Sequence, residues 1–166
     1  MSNFLIDKQF SELYESYFAN ILNMTWNKTN CDDFGVDIMN VDNNIYIDVK
    51  CYASPLYIKH FKGVFLETYL PKSNKDGWLF DKNKQTTHYI LLQDCDRNKI
   101  EFYKGWLIKK QDLLNALNDA IKNGDVEMKS IASAKGYMLP YKYLNKYSIY
   151  KFDGEKCDKE LTENVA

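Results

Sequence analysis

Apolar residues recur at helical spacing near the start of the chain. Phe10, Leu13, Tyr14, Tyr17, Phe18, Ile21 and Leu22 form one stripe, which predicts an amphipathic helix over 4–23 with the stripe facing the core. Glu12 and Glu15 fall off that stripe, where helix glutamates are ordinarily solvated. The period then shortens to two. Residues 26–30 read as a short strand, and 35–51 as two strands joined by a polar turn. Val64 to Leu70 predicts a further strand, with Phe65, Glu67 and Tyr69 on one face. Glu67 reads as an edge-strand charge in preference to an acid near a site. Tyr52 to Lys62, with Pro55, reads as loop. Thr87–Gln93 and Lys99–Lys104 read as a strand pair around the polar stretch 94–98. Leu113, Leu114, Leu117 and Ile121 predict a helix over 107–122 that stops at Gly124. The aromatic and basic region 125–152 reads as irregular structure or a short strand. No internal repeat is evident.

The hairpin carries the candidate chemistry. Strand side chains alternate faces, so Asp48 and Lys50 point one way while Ile45, Ile47 and Val49 point the other. A two-residue loop, Asn43-Asn44, would pair Asp37 with Lys50. A four-residue loop, Val41 to Asn44, would pair Asp37 directly with Asp48. Both registers gather Asp37, Asp48 and Lys50 on one polar face, expected to be exposed, and put Val36, Ile38, Ile47 and Val49 on the buried one. A three-residue loop would scramble both faces. Two facing carboxylates are costly unless a cation neutralises them. Mg²⁺, or Mn²⁺ in its place, binds through one or two carboxylates and completes its shell with waters and substrate phosphate. A lysine beside it can hold the attacking water and stabilise charge on phosphorus.

Asp37…Asp48-Val49-Lys50 resembles the motif of the PD-(D/E)xK nuclease superfamily, which includes restriction enzymes, Holliday-junction resolvases, and phage and repair nucleases. The lead-in Asp32-Asp33-Phe34-Gly35-Val36-Asp37-Ile38 is similar to that family's acidic, glycine-containing approach to the first acid, with Val36 where the motif has proline. Glu15 is similar in placement to a helix glutamate that assists the metal in many members. The stretch 63–92, with Gly77-Trp78 in its loop, resembles the family's later core strands. The resemblance spans roughly residues 10–105. It implies an α/β fold with a restriction-endonuclease-like core, a central mixed β-sheet flanked by helices. It implies metal-dependent phosphodiester hydrolysis, most readily of DNA, leaving 5′-phosphate and 3′-hydroxyl ends. Asp37, Asp48 and the Val49 carbonyl would hold the metal, and Lys50 would position the water. The other readings are an RNA nuclease, or a nucleic-acid-binding or protein-interaction module that kept the fold and lost cleavage. Glu127-Met128-Lys129 repeats the acid-x-lysine triplet, but it follows the helix and has no hairpin before it, and its upstream acids, Asp112 and Asp119, lie on that helix.

At 166 residues the chain reads as one domain over 1–152 followed by an acidic, disordered tail over 153–166. The tail holds five acids and two lysines, so it accounts for −3 of a net charge of −1 and leaves the body at +2. A mildly positive body can hold nucleic acid through local potential. The loop 71–84 places Lys72, Lys75, Lys82 and Lys84 around Trp78, a pattern that suits phosphate contact and base stacking. A solvated loop pinned by a buried tryptophan explains it equally well. Small size without a separate recognition domain implies low or structure-based selectivity, or dependence on a partner or a homodimer. Cys31, Cys51, Cys95 and Cys157 form no Cys-x-x-Cys pair, which points to reduced thiols, a cytoplasmic setting and no zinc. His60 and His88 are isolated. No apolar run approaches a membrane span, and the N-terminus lacks the pattern of a signal peptide. The two Asn-x-Thr triplets at Asn23 and Asn27 then carry no meaning, and no phosphate-binding glycine loop or Gly-x-Ser-x-Gly occurs.

Overall fold

The computed structural model describes residues 3–27, 34–52, 62–131 and 133–153. In chain order these form α1 (Asn3–Ile21), β1 (Thr25–Trp26), β2 (Ile38–Asn40), β3 (Ile45–Tyr52), β4 (Gly63–Leu70), β5 (Lys75–Asp76), β6 (His88–Gln93) and β7 (Lys104–Lys109). They continue with α2 (Lys110–Lys122), β8 (Glu127–Ile131), β9 (Ala134–Pro140), α3 (Tyr141–Tyr147) and β10 (Tyr150–Asp153).

The strands build two sheets. The first runs β1-β2-β3-β6-β7-β10, and the second β5-β4-β9-β8. The first is mixed: β3 pairs in parallel with β6, and its other pairs are antiparallel. The fold is therefore α/β with a central mixed sheet and, among the described residues, three helices. Each face of that sheet buries its own core. On one, the α1 stripe of Phe10, Tyr14, Phe18 and Leu22 meets Ile38, Ile47, Val49, Ile90 and Leu107. On the other, Tyr89, Leu91, Trp106 and Ile108 meet Val64 and Leu66 of β4, Leu113 and Leu117 of α2, and Leu144 of α3.

Several expectations move. β7 and α2 divide the apolar run that reads as one helix: Trp106, Leu107 and Ile108 are buried strand residues, and the helix begins at Lys110. A strand covered on both faces has no alternation to set it apart from a helix. The expected strand at 99–104 is instead mostly loop. The Tyr14 hydroxyl donates within it, lying 2.8 Å from the Asp96 carbonyl, 3.0 Å from that of Lys99 and 2.7 Å from that of Glu101. Region 125–152 is regular: β8, β9, α3 and β10. Glu127-Met128-Lys129 lies on the edge strand β8, directly after α2, and its hairpin partner β9 follows it in the chain. The stretch 63–92 splits between the sheets, with β4 in the second and β6 in the first. β5 pairs only with Tyr69 and Leu70 at the end of β4, so Glu67 is strand-paired on its β9 side alone, and the register shifts between Glu67 and Tyr69. Tyr52 closes β3 and Asp153 closes β10 instead of opening the expected loop and tail, while residues 28–30, 53–61 with His60, and 154–166 lie outside the described residues.

Candidate active site

The β2–β3 register settles the loop length. Ile38 pairs with Ile47, Met39 with Tyr46 and Asn40 with Ile45, leaving Val41 to Asn44 as a four-residue turn. Asn44 takes the left-handed backbone at φ 53° and donates its N–H to the Val41 carbonyl at 3.1 Å. The paired register ends at Ile38, and Asp37 lies just before it as Asp48 lies just after Ile47. The Asp37 N–H still donates to the Ile47 carbonyl, at 2.9 Å.

Beyond Asp37 the pairing stops, and side chains take over. The Val49 N–H donates to Asp37 Oδ2 at 2.7 Å, so this carboxylate sits on the backbone between Asp48 and Lys50. In an extended strand the N–H and C=O of one residue point the same way. The Val49 carbonyl therefore faces the Asp37 side too. The approach to Asp37 is stitched in place. Asn27 bonds the Val36 and Asp37 carbonyls, at 2.8 and 2.7 Å. The Thr86 hydroxyl donates to the Gly35 carbonyl at 2.5 Å. Gly35 has φ +61°, and a Cβ there would meet the Lys84 stem at 2.6 Å, so Lys84 lies against this approach.

Asp48 is buried at 2% exposure, which corrects the expectation of an exposed polar face. Its Oδ1 receives the Lys50 ammonium at 2.8 Å. Its Oδ2 is buried and has no hydrogen-bond partner. Lys50 also lies over Trp78, 5.5 Å from the ring centroid. Trp78 is held in turn against Tyr89, with centroids 4.8 Å apart, and its carbonyl accepts from the Tyr89 hydroxyl at 3.3 Å. Trp78 thus pins its loop and carries the lysine.

Electrostatics tie these groups together. Burial raises the Asp37 pKa to about 8, helped by the charges of Asp48 and Glu15 and opposed by the Val49 N–H and by Lys50. Burial works against the Lys50 ammonium, but Asp48, Asp37 and Glu67 outweigh it and hold its pKa above the ordinary lysine value. Glu15 lies within electrostatic reach of Asp37, and its Oε2 accepts the Trp26 indole N–H at 3.2 Å. Glu67, read as a bystander, acts on Lys50. Its strand position gave no signal of that, because it lies in the other sheet.

The loop lysines separate. Lys72 is on the exposed turn between β4 and β5 and Lys75 on β5, while Lys82 is exposed in a second turn. Only Lys84 is placed at the approach to Asp37. The second triplet makes its own ion pair, Lys129 to Glu127, but there the glutamate side chain is 73% exposed on an edge strand. Cys51 and Cys95 are free thiols. Among the described residues no three His, Cys, Asp or Glu side chains already stand together as a metal cluster, and no helix is long and apolar enough to cross a membrane. Comparison with protein-family models, curated proteins and solved structures finds no match to this chain.

Proposed function

We propose that this protein is a Mg²⁺-dependent nuclease of PD-(D/E)xK type acting on DNA. The observation that carries the reading is the Asp48 carboxylate: buried, beside a second acid, one oxygen on a lysine and the other without a partner. A buried polar atom left unpaired costs free energy unless something binds it. The donors that flank it are hard oxygens, from Asp48, Asp37 and the Val49 carbonyl, which suits Mg²⁺ or Mn²⁺ and not a thiophilic ion. A bound Mg²⁺ would supply Lewis acidity toward the phosphodiester and its attacking water.

The protein's own groups do the rest. Asp37 gives up its proton so that both acids can serve as ligands. Asp48 would hold the cation together with Asp37, and Lys50, beside Asp48, would orient a water toward phosphorus and stabilise charge developing on the phosphate oxygens. Trp78 keeps that ammonium in place while its carboxylate partner is engaged. Glu15 and Glu67 set the local field from either side.

The decisive experiment is a cleavage assay on duplex, branched and single-stranded DNA and on RNA, with and without Mg²⁺ or Mn²⁺. Metal-dependent cleavage of DNA is expected. Asp48→Asn, which keeps the size and a hydrogen bond to Lys50, should abolish it. Lys50→Ala should retain metal binding and lower kcat by about 10²–10³. Absence of cleavage on every substrate, or full activity in purified Asp48→Asn, rejects the reading. Cleavage of RNA alone selects the ribonuclease alternative.

A further inference from the structure

The sheet face that carries Asp48 and Lys50 has a second polar opening at its far flank. The ladder registers run Lys50–Leu91–Trp106–Lys151, so these four positions share one face. At about 4.8 Å per strand, Lys151 stands roughly 14 Å from Lys50. Leu91 and Trp106 between them are buried, so packed core separates the two lysines.

Beside Lys151 lies a cleft of about 250 Å³, lined by Lys104, Gly105, Trp106, Asn145, Lys151 and Phe152. Among the described lining residues there is no carboxylate, and the β7–β10 register sets Asp153 across from Lys104. The Trp106 indole N–H donates to Asn145 Oδ1 at 2.9 Å. An indole can only donate, so this contact decides which end of the amide is oxygen. The Asn145 NH₂ is left with donors to offer. The Lys104 ammonium rests over two rings, 5.1 Å from the Tyr103 centroid and 5.6 Å from that of Tyr141, which localises a head group that is otherwise free to wander. Tyr141 packs on Trp106 at 5.1 Å. Donors from β7, β10 and α3 thus meet on an aromatic scaffold. Tyr103, 48% exposed beside Lys104, offers a face on which a base can stack.

A lone lysine on an edge strand is an ordinary guard against strand addition. Lys151 fits that account, but Lys104 on an inner strand and the oriented amide of Asn145 do not. We propose that this cleft binds a phosphate ester, that of a nucleotide or of a single nucleic-acid strand, through the Lys104 and Lys151 ammoniums and the Asn145 amide. The volume admits a phosphate and its sugar but no duplex. The proposal goes beyond the nuclease reading and does not require it, because none of these residues is a candidate metal ligand.

The test uses the full chain in EDTA, so that the metal site contributes nothing. The probes are a 5′-mononucleotide, by calorimetry, and a fluorescein-labelled oligothymidylate, by anisotropy against salt. Binding of one or both is expected. Asn145→Asp keeps an acceptor for the Trp106 indole but replaces the donors with a charge, and should weaken binding at least tenfold at an unchanged melting temperature. Lys104→Gln/Lys151→Gln should weaken it similarly and reduce the oligonucleotide salt slope by about 0.7 per lysine. Lys109→Gln/Lys122→Gln removes the same charge elsewhere and should bind like the wild type. Equal affinities for the two probes identify a nucleotide site, and tighter oligonucleotide binding identifies a strand site. No binding, an unaffected Asn145→Asp, or equal loss in the Lys109/Lys122 control overturns the proposal. None of these results bears on metal-dependent cleavage.

Discussion

A carboxyl taken out of water beside two other acids keeps its proton, and Asp37 is such a group, with a pKa raised to about 8 by burial, Asp48 and Glu15. In the unfolded chain it returns to about 3.8. Between these values the folded protein holds a proton that the unfolded chain has released. The contribution to stability is therefore present at low pH and lost as pH rises through 8. Metal-free protein should lose stability across that window, and a divalent cation, which must expel the proton, should bind more tightly as pH approaches 8. Asp37→Asn still offers Val49 an acceptor without the ionisation. In EDTA its melting temperature should exceed that of the wild type by an amount that grows from pH 5 to pH 8, reaching several degrees. His88, whose pKa is lowered by burial and Lys109, runs the opposite way, but it does so in both proteins and cancels in the difference. A melting-temperature difference that stays flat with pH would show that Asp37 is not protonated in the folded state.

At the level of elements, α1 and the β2–β3 hairpin were legible because each has one uniformly apolar face, and such a face writes its period into the sequence even though Asp48 on the other face of β3 is also buried. The closeness of Asp37 to Asp48 followed from that alternation, although two loop lengths satisfied it. β8 was not legible. It is a polar edge strand, with Glu127, Met128 and Ser130 exposed, so burial imposes no pattern on it. The fixing of Lys50 by Trp78 was not legible either, because it depends on a contact between loop and sheet distant in sequence. That loop has its own mechanical constraint. Gly77 packs against β4, where a Cβ would come within 2.4 Å of the Glu67 carbonyl oxygen and 2.7 Å of the Thr68 nitrogen. Backbone cannot yield as a side-chain tip can, so Gly77→Ala must push the loop off β4 and carry Trp78 with it. The cost should be about 1–3 kcal/mol of stability, read by urea denaturation. The kcat of the proposed cleavage should fall further than that loss explains at temperatures where the variant is fully folded. Trp78→Leu, which removes the ring and leaves the loop seated, should reproduce the kcat loss without affecting KM. If both variants turn over normally, Trp78 serves packing alone.

For the molecule as a whole, the question under the proposed nuclease reading is how a chain of net charge −1 would hold a polyanion. Affinity has to come from a few lysines in the right place, because phosphate contacts release counterions one by one and a diffuse excess of positive charge is lacking here. Lys72, Lys75, Lys82 and Lys84 read as one such group in the sequence, but Lys72 and Lys75 lie on the β4–β5 hairpin, Lys82 on a separate turn, and of the four only Lys84 is placed against Gly35, two residues before Asp37. Substrate seated on Asp48 and Lys50 would pass Lys84 first. The hairpin turn that carries Lys72 and the adjacent β5 that carries Lys75 would matter only if the substrate extends along the second sheet. Binding of duplex DNA to the wild type in Ca²⁺, which should fill the site without supporting efficient turnover, separates the two cases. Lys84→Gln should weaken binding on every sequence alike and make the salt slope shallower by about one unit. Lys72→Gln/Lys75→Gln should leave both nearly unchanged if the substrate stays at the central sheet, and should lower the slope by about two if it follows the β4–β5 hairpin. A Lys84→Gln variant with wild-type affinity and slope would place the duplex away from the Gly35 approach, and with it away from the Asp37–Asp48 pair.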